Sequence, residues 1–381
     1  MRFALEAMQA HDGDCLFLHY EPDGAPPVRI LIDGGSQGVY QSVIKPRIDQ
    51  LGGHTKLDLR MVIVSHIDAD HITGILDLFK ALSELQADGQ DPFCGIRTLW
   101  HNAFSDVHGS APASVESGAV AASLEGQIVP GLDDFTQAVV ASVPQGNQLH
   151  DYATKLTIPI NAGVSGPIVM APEQGPLNVK VADGLTFTIL APHKAQVDRL
   201  EQEWNAAKAA HPADPAAQAA DYLNNTVPNM SSIVVLATAT TAPGVQKRML
   251  LTGDARGDVI LDALNAAGLM ADGRCHFDLL KVQHHASSHS TTQDFFERVT
   301  ADQYVISGNG KDGNPHPDAL NWLSKARPGQ AFQAYLTNRT GMNDLGHMFD
   351  TFLAAEAQHE PTHVYRFRQD PALSIVVELA S

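Results

Sequence analysis

An apolar run, Leu59–Ser65 (LRMVIVS), passes without a break into His66-Ile67-Asp68-Ala69-Asp70-His71. Such a run reads as a buried strand, and four groups able to bind a metal then crowd the loop that leaves it. Imidazole mixed with carboxylate suits zinc, manganese or iron, whereas carboxylates alone would suit magnesium or calcium. Ile72, Ile75, Leu76, Phe79 and Leu82 recur at the spacing of an amphipathic helix. One Asp could therefore serve only as that helix's cap, but capping accounts poorly for two His and two Asp together.

Two further polar clusters stand where strands are expected to end. Leu251-Thr252-Gly253-Asp254 closes one, and Lys281-Val282-Gln283-His284-His285-Ala286-Ser287-Ser288-His289 closes another. Gly-Asp after a strand is a common turn, and adjacent His residues in a loop can arise by chance. Polar clusters at three strand ends argue for one shared site more strongly than any of them does alone. The 18 His residues point the same way.

Around these clusters the pattern alternates. Strands are expected at Arg2–Met8, Cys15–Tyr20, Val28–Asp33 and Ile96–Phe104, with a helix near Tyr40–Leu51. Asp183-Gly184 between two apolar runs signals a hairpin. The polar, Ala-rich stretch from Gln196 to Leu223, broken at Pro212 and Pro215, reads as a surface excursion or lid. Strands at Ile233–Ala239, Met249–Thr252, Leu279–Val282, Gln303–Ser307, Val364–Arg368 and Ser374–Leu379 alternate with helices at Asp258–Ala267, near Thr292–Val299 and from Pro317. Interleaved elements of this kind indicate an α/β class, taken as one domain over 1–381 with a helical or lid insertion near 105–225.

At 381 residues, 44% hydrophobic and 18% charged, intrinsic disorder is not expected. No stretch approaches the ~20 apolar residues of a membrane span, and the opening MRFALEAMQAHDGDC shows no signal-peptide pattern. Cys15, Cys94 and Cys275 form no CxxC pair, which favours a reducing, cytoplasmic setting. The net charge of −18 argues against strong non-specific nucleic-acid binding. It still permits a phosphate-bearing substrate if bound metal reverses the local sign.

The collinear order of these segments resembles the metallo-β-lactamase fold, whose first metal motif usually reads HxHxDH. Asp68 stands at the second His, as in the ComEC-type competence nuclease domain, where HxDxDH is common. His11–Cys15 with Ile30–Gly35 (ILIDGG) is similar to that family's GDA…LIDGG. Leu250–Asp254 resembles its LLTGD, Leu280–Ser287 its LKVxHHGS, and Val305–Leu320, with Asn314-Pro315-His316-Pro317, its VISxG…HPHP. Val364-Tyr365-Arg366 is similar to its closing YRT strand.

The resemblance implies an αββα sandwich with two divalent ions, zinc or manganese, at one rim. His66 and Asp68 would take the first ion, Asp70 and His71 the second, with Asp254 bridging and His284 completing the set. His285 is the weaker ligand of its pair and an alternative substrate contact. Asp33 would buttress the ligands from behind, and Asp14 would fix the opening turn. A third motif His is not evident. Asn229, in a loose match to the family's NNxS segment, or His193 could fill that role or touch substrate. Ala286 replaces the usual Gly, and the channel segments of the competence proteins are missing.

The chemistry implied is attack by a metal-activated hydroxide on a phosphodiester, with Asp70 or Asp68 taking the proton. His316 would donate a proton to the leaving oxygen or bind phosphate, unless it only caps the helix after Pro317. His289 and Lys281 are weaker candidates. The expected substrate is a small phosphoester or an oligonucleotide end. The alternatives are hydrolysis of thioester, lactone or amide bonds on the same metals, and a non-catalytic binding protein with a degenerate site.

Overall fold

The computed structural model describes residues 1–103, 134–210 and 228–381. The N-terminal part contributes β1 (Arg2–Met8), β2 (Leu16–Glu21), β3 (Val28–Ile32), β4 (Leu57–Leu59), β5 (Met61–Ile63), β6 (Cys94–Ile96) and β7 (Leu99–Trp100). Next come β8 (Leu177–Ala182), β9 (Leu185–Ala191), β10 (Val234–Ala242), β11 (Val245–Leu251) and β12 (Cys275–Lys281). β13 (Val299–Ile306), β14 (Phe332–Leu336), β15 (His363–Phe367) and β16 (Ser374–Ala380) follow. One sheet runs β16-β1-β2-β3-β5-β7, another runs β15-β14-β13-β12-β11-β10-β9-β8, and β4 and β6 form a small ladder. Both large sheets change from antiparallel to parallel pairing, the first beyond β3 and the second beyond β11.

The helices are α1 (Lys45–Gly52), α2 (Ala69–Ala87), α3 (Asp134–Lys155), α4 (Lys194–Ala210), α5 (Gly257–Ala266), α6 (Gln293–Arg298), α7 (Pro317–Ala326) and α8 (Leu345–His359). The chain is thus mixed α/β. One apolar cluster draws on both large sheets, joining Leu5, Leu18 and Ile63 to Phe187, Val235 and Met249. A second holds α1 and α2 against the first sheet through Phe17, Val62, Ile48, Ile75 and Phe79. A third seats α5 to α8 on the second sheet, with Phe277, Tyr304 and Phe332 meeting Ile260, Phe295, Leu320 and Phe349. Strands such as Met61-Val62-Ile63 are therefore buried throughout, as parallel strands covered on both faces must be.

The expected strand over Leu59–Ser65 divides at Arg60, because Leu57–Leu59 belongs to the small ladder, and it stops at Ile63. Ser65 leaves the sheet because its N–H donates to Asp33 Oδ1 at 2.7 Å rather than to a neighbouring strand. In place of a strand over Ile96–Phe104 the chain forms the short β6 and β7. β14 and α8 have no counterpart in the sequence reading. Within the expected insertion, α3 and α4 are helical, and residues 104–133 and 211–227 lie outside the described residues. No described helix is long and apolar enough to cross a membrane.

The loop leaving β3 is locked to the first turns of α2. Gly34 N–H donates to His71 O at 2.6 Å and Gly74 N–H to Gly35 O at 3.2 Å. A Cβ on Gly74 would lie only 2.0 Å from Gly34 O, so only Gly permits the approach that sets Asp33 beside His71. Gly74→Ala is expected to cost about 1–3 kcal/mol through this clash, read as a lower urea midpoint with an unchanged slope. An unchanged midpoint would show that the contact is dispensable.

Candidate metal centre

The polar clusters leave the carboxyl ends of parallel strands, where open α/β sheets place their ligand sites. Asp33 follows β3, the His66–His71 loop follows β5, Asp254 follows β11 and His284-His285 follow β12. The loop after β11 can reach its neighbours because Gly253 takes φ 49, and a Cβ there would stand 2.8 Å from that of Ser65.

Asp254, buried, lies at the centre. Its carboxylate is 3.3 Å from His71 Nε2, 3.5 Å from His285 Nε2, 3.8 Å from His284 Nε2 and 3.9 Å from His66 Nε2. Asp70 Oδ2 approaches His285 Nε2 at 3.2 Å and His71 Nε2 at 3.6 Å. Asp68 Oδ2 lies 3.4 Å from His66 Nε2. Asp70, His71, Asp254 and His285 each offer one atom within 4.8 Å of all the others, a group able to hold a metal ion. His66 Nε2, Asp68 Oδ1 and Asp254 Oδ1 are buried without a hydrogen-bond partner. Orphaned donors and acceptors of this kind are expensive unless something fills the space between them, so the residues fit a cation.

Each imidazole is held from behind through its other nitrogen. His71 Nδ1 donates to Asp33 Oδ2 at 3.0 Å. Ser65 Oγ donates to the same Asp33 oxygen at 2.7 Å and lies 3.0 Å from His66 Nδ1. Ser290 Oγ sits 2.6 Å from His284 Nδ1, with the Asn229 amide at 3.2 Å. Ser307 Oγ and Asp14 Oδ1 face His285 Nδ1 at 3.2 and 3.5 Å. A partner at Nδ1 fixes ring orientation and leaves Nε2 for a ligand role.

His284, His285 and Ala286 are consecutive left-handed residues, at φ 47, 53 and 60. That backbone costs roughly 1–2 kcal/mol per residue, and strain of this sort concentrates at functional sites. It turns both rings inward, with His285 buried and His284 partly open. His285, expected as the weaker ligand of the pair, sits within the tight group, and His284 stands further out.

Electrostatics couple the set. Burial disfavours ionised Asp254, yet the charges on His71 and His285 hold its pKa well below the usual carboxylate range. Burial likewise opposes the charge on His71 and His285, but Asp254 and the other neighbouring carboxylates push both well above ordinary imidazole values. Burial prevails at His284, whose pKa falls. Without a cation, protons on His71 and His285 supply the positive charge that the carboxylates require.

Asp68 stands at the N-cap of α2, but its side chain makes no capping bond, so helix capping does not explain it. His316 caps α7, accepting from Asp318 N–H at 3.2 Å, and Asn314 rather than His316 lines the adjacent cleft. His193 precedes α4, its N–H donating to Gln196 Oε1, and it does not join the cluster. Asn229 touches His284, not the cleft wall, and His289 is exposed. Beneath the site, buried Lys281 pairs with Asp14 at 2.6 Å, and Ser307 also bonds Asp14. Ser65, Ser290, Ser307 and Lys311 stand at the site although no motif marks them in the sequence. The polar positions just after β5 and β13 were the available signal for Ser65 and Ser307. The cleft above the cluster measures about 560 Å³.

Asp33→Asn is expected to weaken zinc binding about 10–100-fold while the fold persists, measured by chelator competition alongside circular dichroism. At pH 7, metal loading should release protons from His71 and His285, read as a heat that changes with buffer ionisation enthalpy; lower pH should weaken binding, because the ligands must be deprotonated. A buffer-independent heat would contradict this charge balance. No protein-family model matches the chain, and no curated protein matches it.

Proposed function

We propose that the chain is a metal-dependent phosphodiesterase on the αββα sandwich of the metallo-β-lactamase fold, with two divalent ions, zinc or manganese, as resident cofactors. The apolar cluster between the two large sheets, with helices packed on each outer face, supports that architecture. One observation carries the functional reading: the Nε2 atoms of four imidazoles converge within 3.9 Å of the Asp254 carboxylate, each ring held at Nδ1.

Asp70, His71, Asp254 and His285 would hold one ion. His66, Asp68 and His284, with Asp254 shared, would hold the other, so His284 would take the place of the third motif His that is not evident in the sequence. Bound ions would polarise a phosphoryl oxygen and acidify water. The chain's own groups account for the rest. Asp68 lines the cleft and would accept the proton released by the attacking water. Asn314, on the cleft wall, would hydrogen-bond the departing oxygen, which takes its proton from Asp68 once that carboxylate has accepted the proton of the attacking water. Carboxylates of Asp77 and Asp312 in the same wall disfavour a polyanion and favour a small phosphoester or an oligonucleotide end. The three unpaired cysteines fit a reducing, cytoplasmic setting.

Manganese- or zinc-loaded protein is expected to hydrolyse bis-(4-nitrophenyl) phosphate. Asp68→Asn should lower kcat by roughly 10²-fold or more, and Asp70→Ala should reduce turnover to background. Turnover confined to lactones, thioesters or amides would favour the carbonyl-hydrolase reading. No turnover on either panel, with less than one divalent ion retained per chain, would favour a binding protein.

A further inference from the structure

Among the described residues Lys311 is the only Lys or Arg lining the cleft, whose wall carries His284 and His285 together with Asp12, Asp68, Asp70, Asp77, Asp254 and Asp312. It sits on a short, well-anchored turn. Gly310 N–H donates to Asn314 O at 2.9 Å, Met342 N–H to Asn309 O at 2.6 Å, and Asn343 Nδ2 to Gly310 O at 2.8 Å. The turn holds the Lys311 ammonium 2.5 Å from Asp12 Oδ2, while Ser36 Oγ bonds the other Asp12 oxygen. Lys311 is about half exposed and Asp12 mostly buried. An ammonium has three donors, and Asp12 is the one hydrogen-bond acceptor found for Lys311 Nζ among the described residues. Burial opposes the charge, yet Asp12, Asp312 and Asp70 keep its pKa above the ordinary lysine value.

We infer that Lys311 is the positioning residue for a phosphoryl oxygen that points away from the metal ligands, and that this oxygen displaces Asp12 as the ammonium's partner. The occupant would then be an ester retaining an anionic oxygen toward the cleft mouth, a feature that neutral lactones and thioesters lack. A phosphate oxygen meets an ammonium already desolvated on one side, and Asp12, steadied by Ser36, keeps that ammonium aimed into the cleft when no substrate is present. This inference rests on the phosphodiesterase reading for its substrate class, but the anion site itself can be tested without turnover.

The test is calorimetric binding of inorganic phosphate to manganese-loaded full-length protein, with metal content measured on every variant. Lys311→Met should weaken phosphate about 10–100-fold, the loss of one charge-assisted hydrogen bond, without lowering metal content. Lys311→Arg should restore most of the binding, and Asp12→Asn should tighten it by removing the competing carboxylate. Equal phosphate affinity in Lys311→Met and the parent would overturn the inference. If phosphate binding follows the expected order but no phosphodiester is hydrolysed, the anion site stands and the phosphodiesterase reading falls.

Discussion

The Asp254 carboxylate is buried among four imidazoles, and an ionised group in that position is tolerable only while positive charge surrounds it. Much of the site follows from this constraint. Loss of the charge on His71 or His285 would leave the carboxylate uncompensated in a low-dielectric setting. The Nδ1 partners Asp33, Ser65, Ser290 and Ser307 stand on four separate loops, so the centre draws together the exits of β3, β5, β12 and β13. The Lys281–Asp14 pair underneath, both groups buried at 2.6 Å, extends the same alternation of charge one layer deeper. Removing one partner of such a pair leaves a bare charge, which costs about 3–5 kcal/mol.

The fold makes this arrangement possible through parallel pairing. Antiparallel strands send successive loops to opposite edges, whereas β3, β5 and β7 in one sheet and β11 to β15 in the other send theirs to the same edge. Ligands far apart in sequence thus meet with short loops. The Gly34–Gly74 contact and the left-handed stretch from His284 to Ala286 adjust the last few ångströms. They are the places where local backbone preference yields to the geometry of the centre.

How much of this was legible in the sequence differs from residue to residue. The His66–His71 loop and the strands around it stand out because a buried strand that ends in clustered imidazole and carboxylate serves few purposes besides holding a cation. Asp254 was readable only in company, since Gly-Asp after a strand is ordinary turn chemistry. The order of His284 and His285 was not readable, because it depends on three consecutive left-handed residues, and Ala286 gives no sign of adopting one. His316 illustrates the opposite limit: a His before Pro at a helix start serves equally as cap or catalyst in sequence, and here its Nδ1 serves the cap. Lys311 was invisible because its place opposite Asp12 arises from contact between residues 299 positions apart. α8 went unassigned although Leu345, Phe349, Phe352 and Glu356 follow helical spacing, since it begins in an Asn343-Asp344 turn that reads as loop.

The most direct measurement is anomalous diffraction from crystals grown with manganese or zinc and recorded at the metal edge. Two peaks should flank the Asp254 carboxylate, one against Asp70, His71 and His285 and the other against His66, Asp68 and His284. A map with no peak within bonding distance of Asp254 would contradict the two-ion centre.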